Sequence, residues 1–490
     1  MLFFDNSFAR LDSNFYTHNV TTPLHSPIWI IKNNGLASEL GISLNDDPEK
    51  KLLHAFSGGQ PLPGSQPLAM VYAGHQFGQY VSQLGDGRGV LLGELKTSAS
   101  QWDLHLKGAG LTPYSRGGDG RAVLRSSLRE YIASEALAAL DVPGTRALCV
   151  TSGTDTVWRE TLEPAAMLVR VAKSHVRFGS FEFFHYSGQH ERVKELADYC
   201  IEKYYPEITD EKPCQRYISF FKSVIERTAK LIAKWQAVGF AHGVMNTDNM
   251  SIVGDTFDFG PYGFMDRYDE AYVCNHSDHQ GRYAFNAQPG IGLWNLNALG
   301  HALSSLIETA DLQAALAEYE PKLINRYSAL MLSKLGLVEQ QPDDALLINS
   351  LLSLMQANDA DYTLTFRGLA HIDTTIDTTI DTNIERSALI EHFTDQAGLQ
   401  AWLGTYRTRL QNNNLSKAQR QQHMNGVNPL YIARNHLAQE AIECAENGDY
   451  TELHNLMQLL AAPYTEQPNQ EKYAAAAPAW SHALQISCSS

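Results

Sequence analysis

Cysteine is scarce in this chain: six residues in 490, at Cys149, Cys200, Cys214, Cys274, Cys444 and Cys488, with no CxxC pair and no repeated ligand spacing. That excludes a disulfide-stapled secreted scaffold and a structural zinc ribbon, and it favours a reducing compartment. Long apolar runs are lacking too. The N-terminal MLFFDNSFARLDSNFY is interrupted by Asp5, Arg10 and Asp12 before a signal-peptide core can form, and no run reaches the roughly 20 residues of a membrane span. A cytoplasmic protein with no membrane partner is expected. Positive charge is in deficit, 38 Lys and Arg against 54 Asp and Glu, for a formal charge of -16. A broad phosphate-binding surface needs the opposite balance, so no nucleic acid partner is expected, although a few local cations can still hold a nucleotide. Two nucleotide signatures are missing as well. No GxxxxGK[ST] segment occurs, GDGRG being too short to stand for it, and no dinucleotide glycine fingerprint sits at a strand-to-helix turn.

What is present supports a large core, with 44% hydrophobic residues and a length that allows two to four domains or one lobe pair with helical additions. The first 60 residues read as a segment wrapped on a larger body, and PLPGSQPLA (61–69) as a turn-rich connector. AGHQFGQYVSQLGDGRGVLLGELK then reads as a glycine-rich hairpin with a following strand, and QWDLHLKGAG as another strand. RAVLRSSLREYIASEALAAL (121–140) has helical spacing, with Pro143 and Gly144 beyond it. AMLVRVAKSHVRFGSFEFF suggests strands joined through a turn. Residues 190–206 and ISFFKSVIERTAKLIAKWQAVG read as helices, the second ending at Gly239. The polar loop AHGVMNTDN follows, then MSIVGDTFDFG as a short apolar strand. Beyond residue 290 the pattern is mainly helical. IDTTIDTTIDTNIE (372–385) is a four-residue near-repeat, too short for a solenoid unit and read as a loop.

Chemistry gathers along the first part of this order. Gly85, Gly87 and Arg88 fall in a glycine-rich loop, Lys107 in a strand, Glu130 on the helix, and Asn249 and Asp258 around a loop and strand. Kinase-like sites need these groups: a lysine that pairs with phosphate, a helical carboxylate that orients it, and Asn and Asp oxygens for Mg²⁺. Asp258-Phe259-Gly260 spells the metal-binding tripeptide. One position departs from the kinase pattern. In His242-Gly243-Val244-Met245-Asn246-Thr247-Asp248-Asn249 the slot two residues after the histidine, normally acidic, holds Val244. Conventional hydroxyl phosphorylation is disfavoured, His242 reads as a loop organiser, and Asp248 is either a displaced base or a structural turn aspartate.

LGDGRG, LHLKGAGLTPYSRGGDGRAVLRSSLREY, ETLEPAAMLVRVAKSHVRFGSFEFF and HGVMNTDNMSIVGDTFDFGPYGFMD together span most of residues 71–270, and the chain ends in CSS. In these motifs it resembles the selenoprotein O family in its bacterial form. The resemblance implies an α+β, protein kinase-like two-lobed fold with additional helical regions, and a protein adenylyltransferase that moves AMP from ATP to Ser, Thr or Tyr hydroxyls of proteins. The alternatives are a nucleotide-binding pseudokinase acting through partners and, lower, a conventional kinase. It implies nucleotide contacts from Gly85, Gly87, Arg88, Lys107, Asp119, Gly120, Arg170, Arg177 and Asp258, with Glu130 orienting Lys107. Arg170 and Arg177 would hold phosphate in an inverted ATP pose, Asp248 would accept the proton, and Asn249 and Asp258 would bind Mg²⁺, with Mn²⁺ as the alternative. Cys488 matches the family's redox-active terminus, with Cys274 as its candidate partner. The expected organisation is an extension over 1–70, a kinase-like N-lobe over 71–189, the catalytic and metal-binding part over 190–290, a helical region over 291–470 and a mobile tail over 471–490.

Overall fold

The computed structural model describes residues 2–47, 49–210, 212–372, 389 and 393–486; residues 373–385 of the near-repeat, and Cys488, lie outside the described residues. The chain is a mixed α+β protein. Its strands are β1 (Tyr16–His18), β2 (Ile28–Lys32), β3 (Leu68–Met70), β4 (Gly74–Gln76), β5 (Gln79–Val81), β6 (Gly89–Lys96), β7 (Gln101–Lys107), β8 (Ala122–Val123), β9 (Arg146–Trp158) and β10 (Leu162–Ala172). Eight of them form one sheet in the order β1-β3-β6-β7-β10-β9-β2, with β8 added on β10, while β4 and β5 form a separate two-stranded ribbon. The sheet pairings are antiparallel. The N-terminal segment supplies both ends of that order, β1 and β2.

Period-two alternation sorts the central strands between two cores. Leu104 and Leu106 of β7 and Met167, Val169 and Val171 of β10 pack with Leu36, Ala55 and Phe56 on one face or its flank. Ala166 and Leu168 face the other way, onto Leu128, Ile132 and Ala136 of helix α3 below. Asp103, His105 and Lys107 share that second face with Arg170, whose register partner is His105. The pleat therefore turns Lys107 and Arg170 toward the helix that carries Glu130.

Helices cover both faces. α1 (Asn34–Glu39) and α2 (Lys51–Phe56) lie toward the first core, and α3 (Leu124–Ala139) crosses the second. α3 starts three residues after the expected Arg121, because Ala122 and Val123 pair with Ala166 and Ala165 as β8. Ser126 and Ser127 then tie its first turn to the Val123 carbonyl. α4 (Phe178–Tyr186) forms where FGSFEFF was read as strand. Phe178, Phe181 and Phe184 are all buried, and their three-residue spacing puts them on one helical face, a tertiary gain that overrides aromatic strand preference. α5 (His190–Tyr204) follows, then α6 (Pro213–Val238), which begins at a proline suited to the first turn and ends at Gly239 with φ 69°. MSIVGDTFDFG adds only two isolated bridges, Ser251 to Arg177 and Thr256 to Gly144. The short ribbon of this region is instead Phe240–Ala241 with Gly263–Phe264. α7 (Gln288–Ala302) opens the helical remainder, which has its own core around Met331, Leu351, Trp402 and Tyr406. Near the end of the chain Glu471–Ala474 is helical and Tyr473 is buried.

Candidate active site

A cavity of about 620 Å³ opens between the glycine loop after β5, the ends of β7 and β10, and the loops at 242–249 and 258–261. The glycine loop is latched from below: Thr112 Oγ1 donates to the Asp86 carbonyl at 2.7 Å and Ser115 Oγ to the Gly87 carbonyl at 2.5 Å, while Asp86 Oδ2 accepts from Met70 N at 3.0 Å. Gly85 sits at φ 74°, and a Cβ there would collide with the Tyr114 ring. Only glycine suits that turn.

The floor is a chain of alternating charges. Lys107 Nζ donates to Glu130 Oε2 at 2.5 Å, Arg170 Nε donates to Glu130 Oε1, Arg170 donates to Asp258 Oδ1 at 2.6 Å, and Arg177 donates to Asp258 Oδ2 at 2.5 Å. Arg177 also donates to the Asp248 carbonyl at 2.8 Å and lies over the Tyr72 and Phe257 rings. Glu130 is fully buried behind the cavity wall. Burial alone would push Glu130 and Asp258 up, but Arg170 with Lys107, and Arg170 with Arg177 and Lys107, outweigh it and hold both carboxyls below their ordinary range. Lys107 is pushed down to about 8 by burial, with Arg88 and Arg170 adding to the fall and Glu130 opposing it. With Arg88 in the cavity wall, four cations face the carboxylates of Glu130, Asp258 and Asp86, so the floor carries a surplus positive charge suited to phosphate. Asp258 adopts φ 61°, uncommon outside glycine and asparagine, and its side chain keeps 27% exposure.

The opposite wall is the 242–249 loop. His242 is buried, its Nε2 lies 3.1 Å from the Phe257 carbonyl and its Nδ1 accepts from Val244 N at 3.3 Å, the geometry of a loop organiser. Thr247–Asn249 form one 3-10 turn. Asn249 Nδ2 donates to the Val244 carbonyl at 2.9 Å, which leaves the amide oxygen for a cation. Asp248 is pushed up to about 7 by burial, against Arg177 and a hydrogen bond from Gln76.

Gly85, Gly87, Arg88, Lys107, Asp119, Gly120, Arg170, Arg177, Asp248, Asn249 and Asp258 all line the one cavity. Asp119 lies at its mouth, paired with Arg159 at 2.6 Å and accepting from Arg121 N at 2.9 Å. Cys274 does not line it: the thiol is buried under the loop, with Sγ 3.5 Å from the Ala241 carbonyl. Sequence reasoning missed Gln76, Asp86, His105 and Asn246, which also line the cavity. Asp86 was within reach, sitting inside the glycine loop beside Arg177 at 3.9 Å; Gln76 lies 172 positions from its partner and leaves no local signal.

Residues 1–461 match the family model described as protein adenylyltransferase SelO. Three curated proteins bearing the name protein nucleotidyltransferase YdiU are similar along nearly the whole chain. The protein of Vibrio vulnificus YJ016 is 50% identical over 496 residues, covering 99% of this chain and 98% of that protein. The proteins of Pectobacterium atrosepticum and Yersinia pseudotuberculosis IP 31758 are 50% identical over 489 and 488 residues, each covering 99% of this chain and 99% of its own length.

Proposed function

The chain belongs to the SelO family of protein adenylyltransferases, and we propose that it transfers AMP from ATP to Ser, Thr or Tyr hydroxyls of proteins in the cavity described above. The observation that carries this reading is the alternating chain Lys107–Glu130–Arg170–Asp258–Arg177 ending beside Asp248. It puts phosphate-binding cations and a carboxylate of raised proton affinity on one cavity. The sheet with α3 on one side and the helical body on the other is read as a kinase-like lobe pair, with the nucleotide between them.

In this reading Arg170 and Arg177 hold the distal phosphates of an inverted ATP, and Lys107, oriented by Glu130, holds the phosphate nearer the acceptor. Gly85, Gly87 and Arg88 of the glycine loop, with Asp119 and Gly120, contact the rest of the nucleotide. Asp248 takes the proton from the acceptor hydroxyl as its oxygen attacks the α-phosphorus. The bond from the α-phosphorus to the bridging oxygen breaks, pyrophosphate leaves, and AMP stays on the protein as a phosphodiester. Asn249 and Asp258 are hard oxygen donors that fit Mg²⁺ or Mn²⁺. Among the described residues no group of three or more His, Cys, Asp or Glu is placed to hold a metal; Asn249 and Asp258 are the residues that would hold the ion. When bound, that ion would neutralise phosphate charge.

With ATP labelled at the α-phosphate, a protein acceptor should take up label, and with γ-labelled ATP it should not; uptake of the γ-label alone would replace this reading with a kinase. Among the described residues no helix is long and apolar enough to cross a membrane. The redox pairing of Cys488 with Cys274 forms part of the same proposal. It is supported at the described end of the chain, where His276 N donates to the Ile486 carbonyl at 2.7 Å, and peptide mapping under graded reducing conditions tests it.

A further inference from the structure

The β4–β5 ribbon reaches the side chain of Asp248, while Arg177 reaches its backbone carbonyl. Gln76 Nε2 donates to Asp248 Oδ2 at 3.1 Å, the amide nitrogen being the atom that a carboxylate requires. Asp248 Oδ1 is buried and has no hydrogen-bond partner among the described residues. Native structures seldom leave a buried carboxylate oxygen unpaired without a reason. At Gly74 the ribbon leaves just enough room for that oxygen, since a Cβ there would lie 2.7 Å from Asp248 Oδ1 and 2.9 Å from Asp248 Cβ. The ribbon thus touches both edges of one carboxylate, with an amide at Oδ2 and a bare backbone at Oδ1.

The ribbon is also firmly held. His75 N donates to Thr247 Oγ1 at 2.7 Å, and Phe77 N to Asn246 Oδ1 at 3.1 Å and to Tyr283 Oη at 3.0 Å. His75 Nδ1 lies 2.5 Å from Oε1 of the fully buried Glu182, whose Oε2 accepts from Thr247 Oγ1. Its two-residue turn places Phe77 at φ 49° and Gly78 at φ 82°. A bulky side chain at positive φ is a strained choice that persists where surrounding contacts over-determine it. Phe77 is 41% exposed and lines the cavity next to Asp248.

We propose that Gln76 is a positioning residue for Asp248, fixing the carboxylate that meets the acceptor hydroxyl, and that the β4–β5 ribbon forms the acceptor-side wall of the site. The inference rests on the adenylyl-transfer reading above. The proton of the acceptor hydroxyl passes to the Asp248 carboxylate as the new oxygen–phosphorus bond forms and pyrophosphate departs. Gln76 neither gains nor loses a proton.

The test is Gln76→Met, which keeps chain length and removes the donor, measured in the full-length protein by transfer of α-labelled ATP. Correct protonation geometry is worth about 100-fold or more in such steps, so losing orientation while keeping the base should lower kcat at least about tenfold. KM for ATP and calorimetric affinity for a non-transferable ATP analogue should stay within about twofold, because Gln76 touches no phosphate-binding group. Should Gln76→Met fail to fold, Gly74→Ala displaces the same carboxylate from its other edge and should show the same split. Unchanged kcat overturns the proposal, and so does a parallel loss of nucleotide affinity and thermal stability, which marks a merely structural role. Asp248→Asn separates the two levels. If it transfers as well as the unsubstituted protein, the role assigned to Asp248 falls and this inference with it; if it is inactive while Gln76→Met is fully active, only the inference about Gln76 falls.

Discussion

Asp258→Asn should divide nucleotide binding from metal-supported transfer. In the structure Asp258 pairs with both Arg170 and Arg177, and its carboxyl is held well below the ordinary range by these cations, so it is fully charged at any working pH. The substitution keeps shape and removes one negative charge from a floor in which Lys107, Arg170, Arg177 and Arg88 already outnumber the carboxylates of Glu130, Asp258 and Asp86. Arg170 retains Glu130, while Arg177 is left with Asp86 at 3.9 Å. Two effects of opposite sign follow. A unit charge 4 Å away at an effective dielectric near 20 is worth about 4 kcal/mol, so a cation that depends on this carboxylate should bind about 700-fold more weakly, at roughly 1.4 kcal/mol per decade. Without divalent metal, the freed arginines should bind ATP as tightly as before or several-fold more tightly. The assays are calorimetric titration of ATP in chelator, and transfer of α-label across a Mg²⁺ series. Loss of ATP binding in chelator would refute the view that Asp258 occupies the arginines until phosphate arrives. Retained turnover at saturating Mg²⁺ would refute its metal role.

The Lys107 amine, at about 8, is charged below that value and neutral above it, so ATP affinity should fall as pH rises from 7 to 9. Lys107→Met should remove that dependence, and a calorimetric pH series on both proteins checks it. Asp248→Asn should reduce α-label transfer by about 100-fold or more while leaving ATP binding nearly unchanged. Glu130→Gln uncouples a buried pair and should cost about 3 to 5 kcal/mol, read as a lowered thermal midpoint. Gly120 sits at φ 70°, where a Cβ would fall on the Gly110 carbonyl; Gly120→Ala should weaken ATP binding, which equilibrium titration would show.

The legible part of the site was the part written in local spacing. Lys107 ends a strand and Glu130 lies inside a helix because alternation and helical periodicity are short-range signals, and the structure joins the two side chains at 2.5 Å. Arg170 and Arg177 were named through family resemblance alone, since no local rule says that two arginines flanking a turn converge on Asp258. The FGSFEFF helix and the late start of α3 were illegible because packing partners elsewhere in the chain decide them: a hydrophobic core for the first, β10 for the second. Gln76 belongs to the same class. Its meaning depends on a loop 172 residues away, and a glycine-rich hairpin read by itself shows only that the chain turns.

The pleat of β7 has one more consequence. Leu104 and Leu106 point into one core while Asp103, His105 and Lys107 point to the other face. A slip of a single residue against β10 would bury three ionisable groups among aliphatic side chains and strip Glu130 of its lysine. Register is thereby proofread by charge, because no misaligned sheet could keep its hydrophobic layer and still hold a half-built nucleotide floor.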